Sequence, residues 1–491
     1  MNLPTDFESY TRQLLGDRLY GRLKAGLDAD TAPVSIRLNP FKADGLDVAA
    51  AVADGQVPWC RATGRYLSVR PNFTFDPLMH AGVYYVQEAA SMFVDYVVRQ
   101  LITAPVAMLD LCAAPGGKST ALRAALPEGS LLVSNEPMRT RAQVLSENMQ
   151  KFGHEDVIVT NNYPRDYRRS GLMFDAILAD VPCSGEGMFR KDDGARQEWS
   201  VQNVDACWQL QREIVADIWH CLRPGGLLIY STCTFNAHED EENVEWIAHE
   251  LGAEYVELPV DGGWNITRAV TGEAPVYRFM PGVSRTEGLF LAILRKPGQA
   301  QPCMQASAAA HADAAVTPTR KDRRRRGAAQ GKGKPQPADI SIPLRDAARY
   351  TLRTIGTTVS AIPTRWLDTL DTAAAKLKVM HAGVGIGTEK GRDIIPCQSL
   401  ALSRQLADDA YPRVETAYAD AVRYLRKEAV ALPEGTPRGA VILTYRGVPI
   451  GFEKNIGQRA NNLYPQEWRI KSTHVPDEPC IMAQPCGDAL Q

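Results

Sequence analysis

Residues 106–123 read VAMLDLCAAPGGKSTALR, and this stretch decides the fold. An apolar run ends in Asp110, gives way to the turn of Pro115, Gly116 and Gly117, and continues into a helical pattern opened by Lys118, Ser119 and Thr120. The order is strand, tight loop, helix. Glycine lets backbone approach a ligand closely and tolerates positive φ. The helix that follows aims unpaired N–H groups into the same space, which suits a carboxylate or a phosphate.

Two nucleotide readings fail on the residues. A phosphate-binding loop needs Gly, four residues, then Gly-Lys-Ser/Thr; Gly117-Lys118-Ser119 supplies the second half, but Cys112 stands where the first glycine is required. The dinucleotide fingerprint Gly-x-Gly-x-x-Gly is absent as well. The second strand, LLVSNEP (131–137), ends in Glu136, placed to accept hydrogen bonds from two ribose hydroxyls. A ligand with a ribose and a carboxylate but no phosphate is S-adenosyl-L-methionine.

From 106 to 296 strands alternate with helices: VAMLDLC, LLVSN, VIVT, FDAILAD, GLLIYSTC and LFLAILRK are the strands. The helices are periodic, as at Ala142, Leu145, Met149 and Phe152, or at Val204, Cys207, Trp208, Val215, Ile218 and Leu222. This rhythm predicts an α/β fold: a Rossmann-like, mainly parallel sheet covered on both faces, with ligands beyond the carboxyl ends of the strands. Two cysteines fall at such ends, Cys183 in LADVPCSGEGMFRKD (178–192) and Cys233 in YSTCTFN (230–236), beside Asp180. Paired thiols next to a methyl donor fit methylation at carbon 5 of a pyrimidine. That carbon becomes nucleophilic only when a thiolate adds to carbon 6, and a second thiol can assist release.

The flanks differ in character. The chain has 491 residues, 45% hydrophobic and 23% charged, with a formal net charge of -2, so several domains are expected and any nucleic-acid affinity must come from local patches. The N-terminus carries no signal-peptide pattern and no apolar run is long enough to cross a bilayer, which predicts a cytoplasmic protein without membrane partners. Ten cysteines without paired spacing disfavour zinc or a disulfide framework, and no metal is expected. Residues 1–104 read as an α/β cap whose APVSIRLNP strand presents Arg37 and Asn39, with Gln87 and Ser91 placed near the ligand. Residues 298–340 form a flexible linker containing RKDRRRRGAAQGKGK, where eight Lys and Arg face one Asp and supply salt-sensitive RNA affinity or solubility. Residues 341–403 form a small unit in which Gly383, Gly385 and Gly387 turn between short strands. Residues 404–491 form a small α+β module with a hairpin turn at Arg446-Gly447. There Lys454, Arg459, Asn461, Asn462, Tyr464 and Arg469 offer groups that bind RNA.

DLCAAPGGKS, DVPCSGEGMFRKD and YSTCTFNAHEDEENV resemble the motifs of the RNA cytosine-carbon-5 methyltransferases of the Sun/Fmu type, most closely the RsmF-like branch that acts on 16S ribosomal RNA. The resemblance covers nearly the whole chain. It implies a class I S-adenosylmethionine-dependent methyltransferase domain over 105–297, an N-terminal RNA-binding cap, an RsmF-type first C-terminal domain and a PUA-like module. It also implies Cys233 as nucleophile, Cys183 in product release, and Asp180 and Lys118 in the site. For the cofactor it implies Cys112, Ala113, Ala114, Pro115, Gly116, Gly117, Lys118, Glu136, Arg141 and Asp180. Where the family often has an aspartate near the adenine this chain reads VTNNYPRDY, so Asn162 is the substitute. The partner implied is 16S RNA or the small ribosomal subunit, acted on by a monomer. Transfer RNA is the alternative substrate. A non-catalytic ribosome-assembly factor is a rival from another class. A DNA cytosine methyltransferase is a third, and the family pattern there makes the Pro-Cys cysteine the nucleophile.

Overall fold

The computed structural model describes residues 2–299, 341–391, 393–472, 474–478 and 481–483. Strands β1 (Ala107–Asp110), β2 (Leu131–Asn135), β3 (Val157–Thr160), β4 (Phe174–Asp180) and β5 (Leu222–Thr232) are parallel, in the order β5-β4-β1-β2-β3. β6 (Leu289–Arg295) runs antiparallel beside β5. The chain winds outward from β1 to β3 and then returns to β4, so the winding reverses between β1 and β4. Asp110 and Asp180 are the tips of those two strands, where open parallel sheets hold their ligands.

Helix α1 (Thr5–Leu27) is interrupted at Gly16, whose φ of 69° and ψ of 162° are not helical. Its Phe7 ring lies 5.0 Å from Phe189 and 5.6 Å from Trp199, and Leu23 and Leu27 join Phe235 and Met280 in the same cluster. This apolar brace stands behind both cysteine segments. The cap continues as a four-stranded antiparallel sheet that includes Val34–Leu38 and Tyr84–Val86. Asn39 does not face a substrate: its amide nitrogen donates to the carbonyls of Gly82 (2.8 Å) and Phe152 (2.9 Å) and so ties cap to catalytic sheet.

Side chains alternate along each strand, so the sheet has two cores. Met108, Leu132, Val157 and Leu178 enter one, under α2 (Gly117–Ala125) and α3 (Arg139–Phe152). Leu109, Val133, Ile158 and Ile177 enter the other, under α4 (Val201–Trp219) and α5 (Glu241–Glu250). Each such side chain contributes about 1.5–3 kcal/mol by leaving water. The expected apolar face of α4 is shorter than its sequence periodicity. Leu222 belongs to β5, and Trp208 is only half-buried, stacked 4.4 Å from the His238 ring with the Arg212 guanidinium 4.0 Å from its centroid.

Residues 341–403 build a four-stranded antiparallel sheet of their own and also lend one helix and one strand to the catalytic sheet. Helix α6 (Leu367–Lys376) puts Leu370 and Ala373 into the second core, and β7 (Val379–Ala382) pairs antiparallel with β3, His381 opposite Val159. An uncovered β3 would offer an open edge for foreign strands. At Gly383 (φ 60°) the chain leaves this sheet for a small antiparallel one, and a Cβ there would lie 2.2 Å from the Ala361 carbonyl oxygen. The C-terminal hairpin turns at Arg446 and Gly447, both left-handed, as its sequence predicts. The helix Tyr418–Leu425 of that module shares one core with Ile36, Leu38 and Phe75 of the cap. The basic stretch 320–334 lies outside the described residues. Among the described residues no helix is long and apolar enough to cross a membrane.

Candidate active site

β4 and β5 are neighbours in parallel register, Asp180 opposite Ser231, so the segments that follow them leave the sheet side by side. This brings Cys183 and Cys233, fifty positions apart, to an Sγ–Sγ distance of 3.1 Å. The Cys233 backbone N–H also points at Cys183 Sγ, 3.4 Å away. Contact with the Cys233 sulfur, and secondly burial, hold the Cys183 thiol well above the usual thiol range. Cys183 therefore keeps its proton. Asp180 stands beside them with Oδ1 accepting from Ser231 Oγ at 2.7 Å and Oδ2 from Lys118 Nζ at 2.8 Å. Burial opposes the Lys118 charge, but the neighbouring Asp180 carboxylate outweighs it, so the ammonium stays protonated.

Residues that the sequence did not single out hold the thiols in place. Glu186 is fully buried; its two carboxylate oxygens accept from Thr234 Oγ1 (2.8 Å), the Phe235 N–H (2.6 Å), Asn236 Nδ2 (3.0 Å) and Trp199 Nε1 (3.0 Å). One side chain of the Cys183 segment thus fastens the Cys233 segment. Glu239 works in the opposite direction, accepting the Ser184 N–H at 3.0 Å and Gln211 Nε2 at 2.7 Å. Burial, with the Glu186 charge second, pushes Glu239 up to about 7. Asp240 and Glu241 are buried with Arg278, whose side chain also donates to the Phe235 carbonyl at 3.0 Å. The only signal for these acids was their crowding in AHEDEEN, which reads equally well as a solvated helix start.

The glycine loop leaves β1 and enters α2 through Gly116, whose φ of 116° is left-handed. Arg141 reaches back from α3, its guanidinium donating to the Ala114 carbonyl at 3.0 Å and standing 3.6 Å from Glu136 Oε2. Glu136 is buried at the tip of β2, and its Oε1 accepts the Met138 N–H at 2.9 Å. Asp110 Oδ2 accepts from Ser119 Oγ at 2.6 Å, while its Oδ1 has no partner among the described residues. Burial pushes Asp110 up to about 7. Asn162 departs from expectation: its side-chain oxygen accepts the Lys378 N–H at 2.9 Å and its nitrogen donates to the Lys378 carbonyl at 3.4 Å. That amide docks β7 rather than standing free for an adenine. Gln87 does lie by the loop, its amide carbon 3.7 Å from a Cβ built on Gly117.

An acid with one unpartnered oxygen at β1, a buried glutamate at β2 and a glycine loop beside them fit S-adenosylmethionine, and with the switch-point sheet they define a class I methyltransferase. The family model of the 16S rRNA methyltransferase RsmB/F matches residues 103–295, that of the RsmF N-terminal domain residues 3–89, and that of the RsmF PUA domain residues 411–470. The ribosomal RNA small subunit methyltransferase F of Enterobacter sp. (strain 638) is 30% identical over 447 residues, covering 88% of this chain and 89% of its own length. That of Escherichia coli (strain SE11) is 31% identical over the same shares. The chain belongs to the ribosomal RNA small subunit methyltransferase F family, and is an S-adenosylmethionine-dependent RNA methyltransferase. Crystal structures of NSun6 and of a methyltransferase homologue, both from Pyrococcus horikoshii, share the fold. NSun6 is 19% identical with a TM-score of 0.50, covering 60% of this chain and 99% of that one. The homologue is 24% identical with a TM-score of 0.50, covering 60% and 95%.

Proposed function

We propose that this protein methylates carbon 5 of cytosine in 16S ribosomal RNA, acting as a cytoplasmic monomer through a covalent bond from Cys233 to carbon 6. The observation that carries the reading is the 3.1 Å contact between a thiol that keeps its proton and a second one beside a lysine ammonium. S-adenosylmethionine, when bound, supplies the methyl group. Asp110, Glu136, Arg141 and the 112–118 loop would hold it. Addition of the Cys233 thiolate to carbon 6 makes carbon 5 nucleophilic. Once carbon 5 is methylated and its proton removed, the bond to Cys233 breaks and the thiolate returns. Cys183, a proton donor touching that sulfur, assists this release. Asp180, fixed by Ser231 and Lys118, orients the cytosine edge. The base must leave its stack to reach the thiols, a role suited to a cap and a PUA module that share one core.

The test incubates wild type, Cys233→Ala and Cys183→Ala with labelled S-adenosylmethionine and naked 16S RNA, small subunits or transfer RNA. The expected result is 5-methylcytosine in ribosomal RNA for wild type, no transfer for Cys233→Ala, and a trapped protein–RNA adduct for Cys183→Ala. Label in transfer RNA alone overturns the substrate. A trapped adduct with Cys233→Ala instead overturns the roles of the two thiols.

A further inference from the structure

Arg37 is a buried cation that meets no carboxylate among the described residues. Its Nε donates to Gln87 Oε1 at 2.8 Å and its Nη2 to Thr120 Oγ1 at 2.6 Å, both neutral acceptors, while Nη1 has no hydrogen-bond partner among the described residues. The acid whose charge acts on it, Asp95, is already bonded to Arg99. Burying an unpaired charge is costly, so a position like this calls for a counter-ion. Arg37 lines a cavity of about 230 Å3 between the cap and the helices α2 and α3, together with Tyr85, Thr120, Asn148, Lys151 and Phe152. Tyr85 is the cross-strand neighbour of Arg37, and its hydroxyl has no hydrogen-bond partner among the described residues. The cavity holds more than a single water and less than a drug-sized ligand.

We propose that this cavity is an oxyanion site in which Arg37 Nη1 and the Tyr85 hydroxyl bind a phosphate-sized group. A guanidinium nitrogen and a phenol are both donors toward such a group. The inference goes beyond methyl transfer and does not depend on the roles given to the thiols. Two sources carry this chemistry. One is a phosphodiester of bound RNA. The other is the carboxylate of the cofactor, since a Cβ on Gly117 would lie 3.3 Å from the Tyr85 ring.

Inorganic phosphate is the probe. The thermal midpoint of the full chain is followed as phosphate replaces chloride at constant ionic strength. Wild type is expected to show a saturable rise of about 3 °C or more. Tyr85→Phe is expected to need at least roughly tenfold more phosphate, the worth of one lost charge-assisted hydrogen bond. Arg37→Met is expected to show no saturable response. Tyr85→Phe leaves both existing bonds of Arg37 intact, so it reads the site even where Arg37→Met does not fold. An unsaturable rise, or identical titrations for wild type and Tyr85→Phe, overturns the site. Saturating S-adenosylmethionine or a short single-stranded RNA is then added, and whichever abolishes the phosphate response is the natural source. A response that neither displaces overturns the assignment of a working site.

Discussion

At Glu186 two oxygens receive four donors, so a glutamine in its place turns an N–H2 group toward two groups that also donate. Leaving buried donors unmet costs roughly 1–3 kcal/mol each. The larger effect falls on geometry, because the same carboxylate sets where Cys233 sits. Glu186→Gln is expected to lower kcat by about 10²-fold with KM for RNA nearly unchanged, the pattern of a positioning residue. A matched rise in KM would place the role in RNA binding instead. Asp110 supports a second prediction, on pH. Its folded pKa of about 7 lies above its ordinary value of 3.8, so between those values the folded state holds the proton that the unfolded state has lost. Its contribution is complete below about pH 4 and is lost as pH rises through 7. Relative to Asp110→Asn, wild type without cofactor should weaken by a few kcal/mol between pH 4 and 8, read by urea unfolding at each pH. An unchanged gap between the two proteins would remove the buried acid from this account. The meeting of Cys183 and Cys233 beside Asp180 was legible in sequence because each cysteine follows a strand of one sheet, while Lys118 entered through the family resemblance alone. Glu186 and Glu239 were not, since a glutamate in a loop reads as solvated until the elements around it are placed.

The element that ties the site together is the crossing of the Cys183 and Cys233 segments at Gly187. Its N–H donates to the Cys233 carbonyl at 2.7 Å, and a Cβ there would stand 2.7 Å from that oxygen and 3.1 Å from the Gly288 Cα. Both obstacles are backbone, so neither can rotate away. Gly187→Ala should therefore displace the Cys233 segment, cost about 1–3 kcal/mol and suppress adduct formation. Gly21→Ala is the control: nothing lies within 4 Å of its Cβ, it sits in α1, and it should gain up to about 1 kcal/mol with activity intact. Equal loss in both variants would mean that the assay reads stability alone. Most elements were legible because strand and helix periods are local signals, as in β1 followed by α2. β7 was not, because its apolar partner, β3, is more than two hundred positions away. The periodicity of α4 overstates the burial of Trp208 for a related reason: a tryptophan covered by His238 and Arg212 is as apolar in sequence as one in the core.

The molecule as a whole is closed by its own C-terminal half. β7 covers the edge of β3, Arg365 and Trp366 satisfy the buried Asp156, and Arg404 holds the buried Glu155 at 2.8 Å. At the other end, Val422, Leu425 and Ile450 share a core with Ile36 and Leu38 of the cap. Cap, catalytic sheet and C-terminal modules therefore lend one another core and counter-charge, despite the compositional break at 298–340 that divides the sequence so plainly. A chain ended at residue 298 keeps every cofactor residue yet exposes β3 and leaves Asp156 and Glu155 without the arginines that pair them. Removing the partner of one buried charge costs about 3–5 kcal/mol, and here two are removed along with a strand. The full chain should unfold in a single calorimetric transition. The shortened chain should lose at least about 10 °C in midpoint, or aggregate through its open edge. If the shortened chain instead melts where the full chain does and binds S-adenosylmethionine equally well, the C-terminal half is an appendage. Two resolved transitions in the full chain would carry the same meaning, and the cofactor site would then owe its stability to residues before 298 alone.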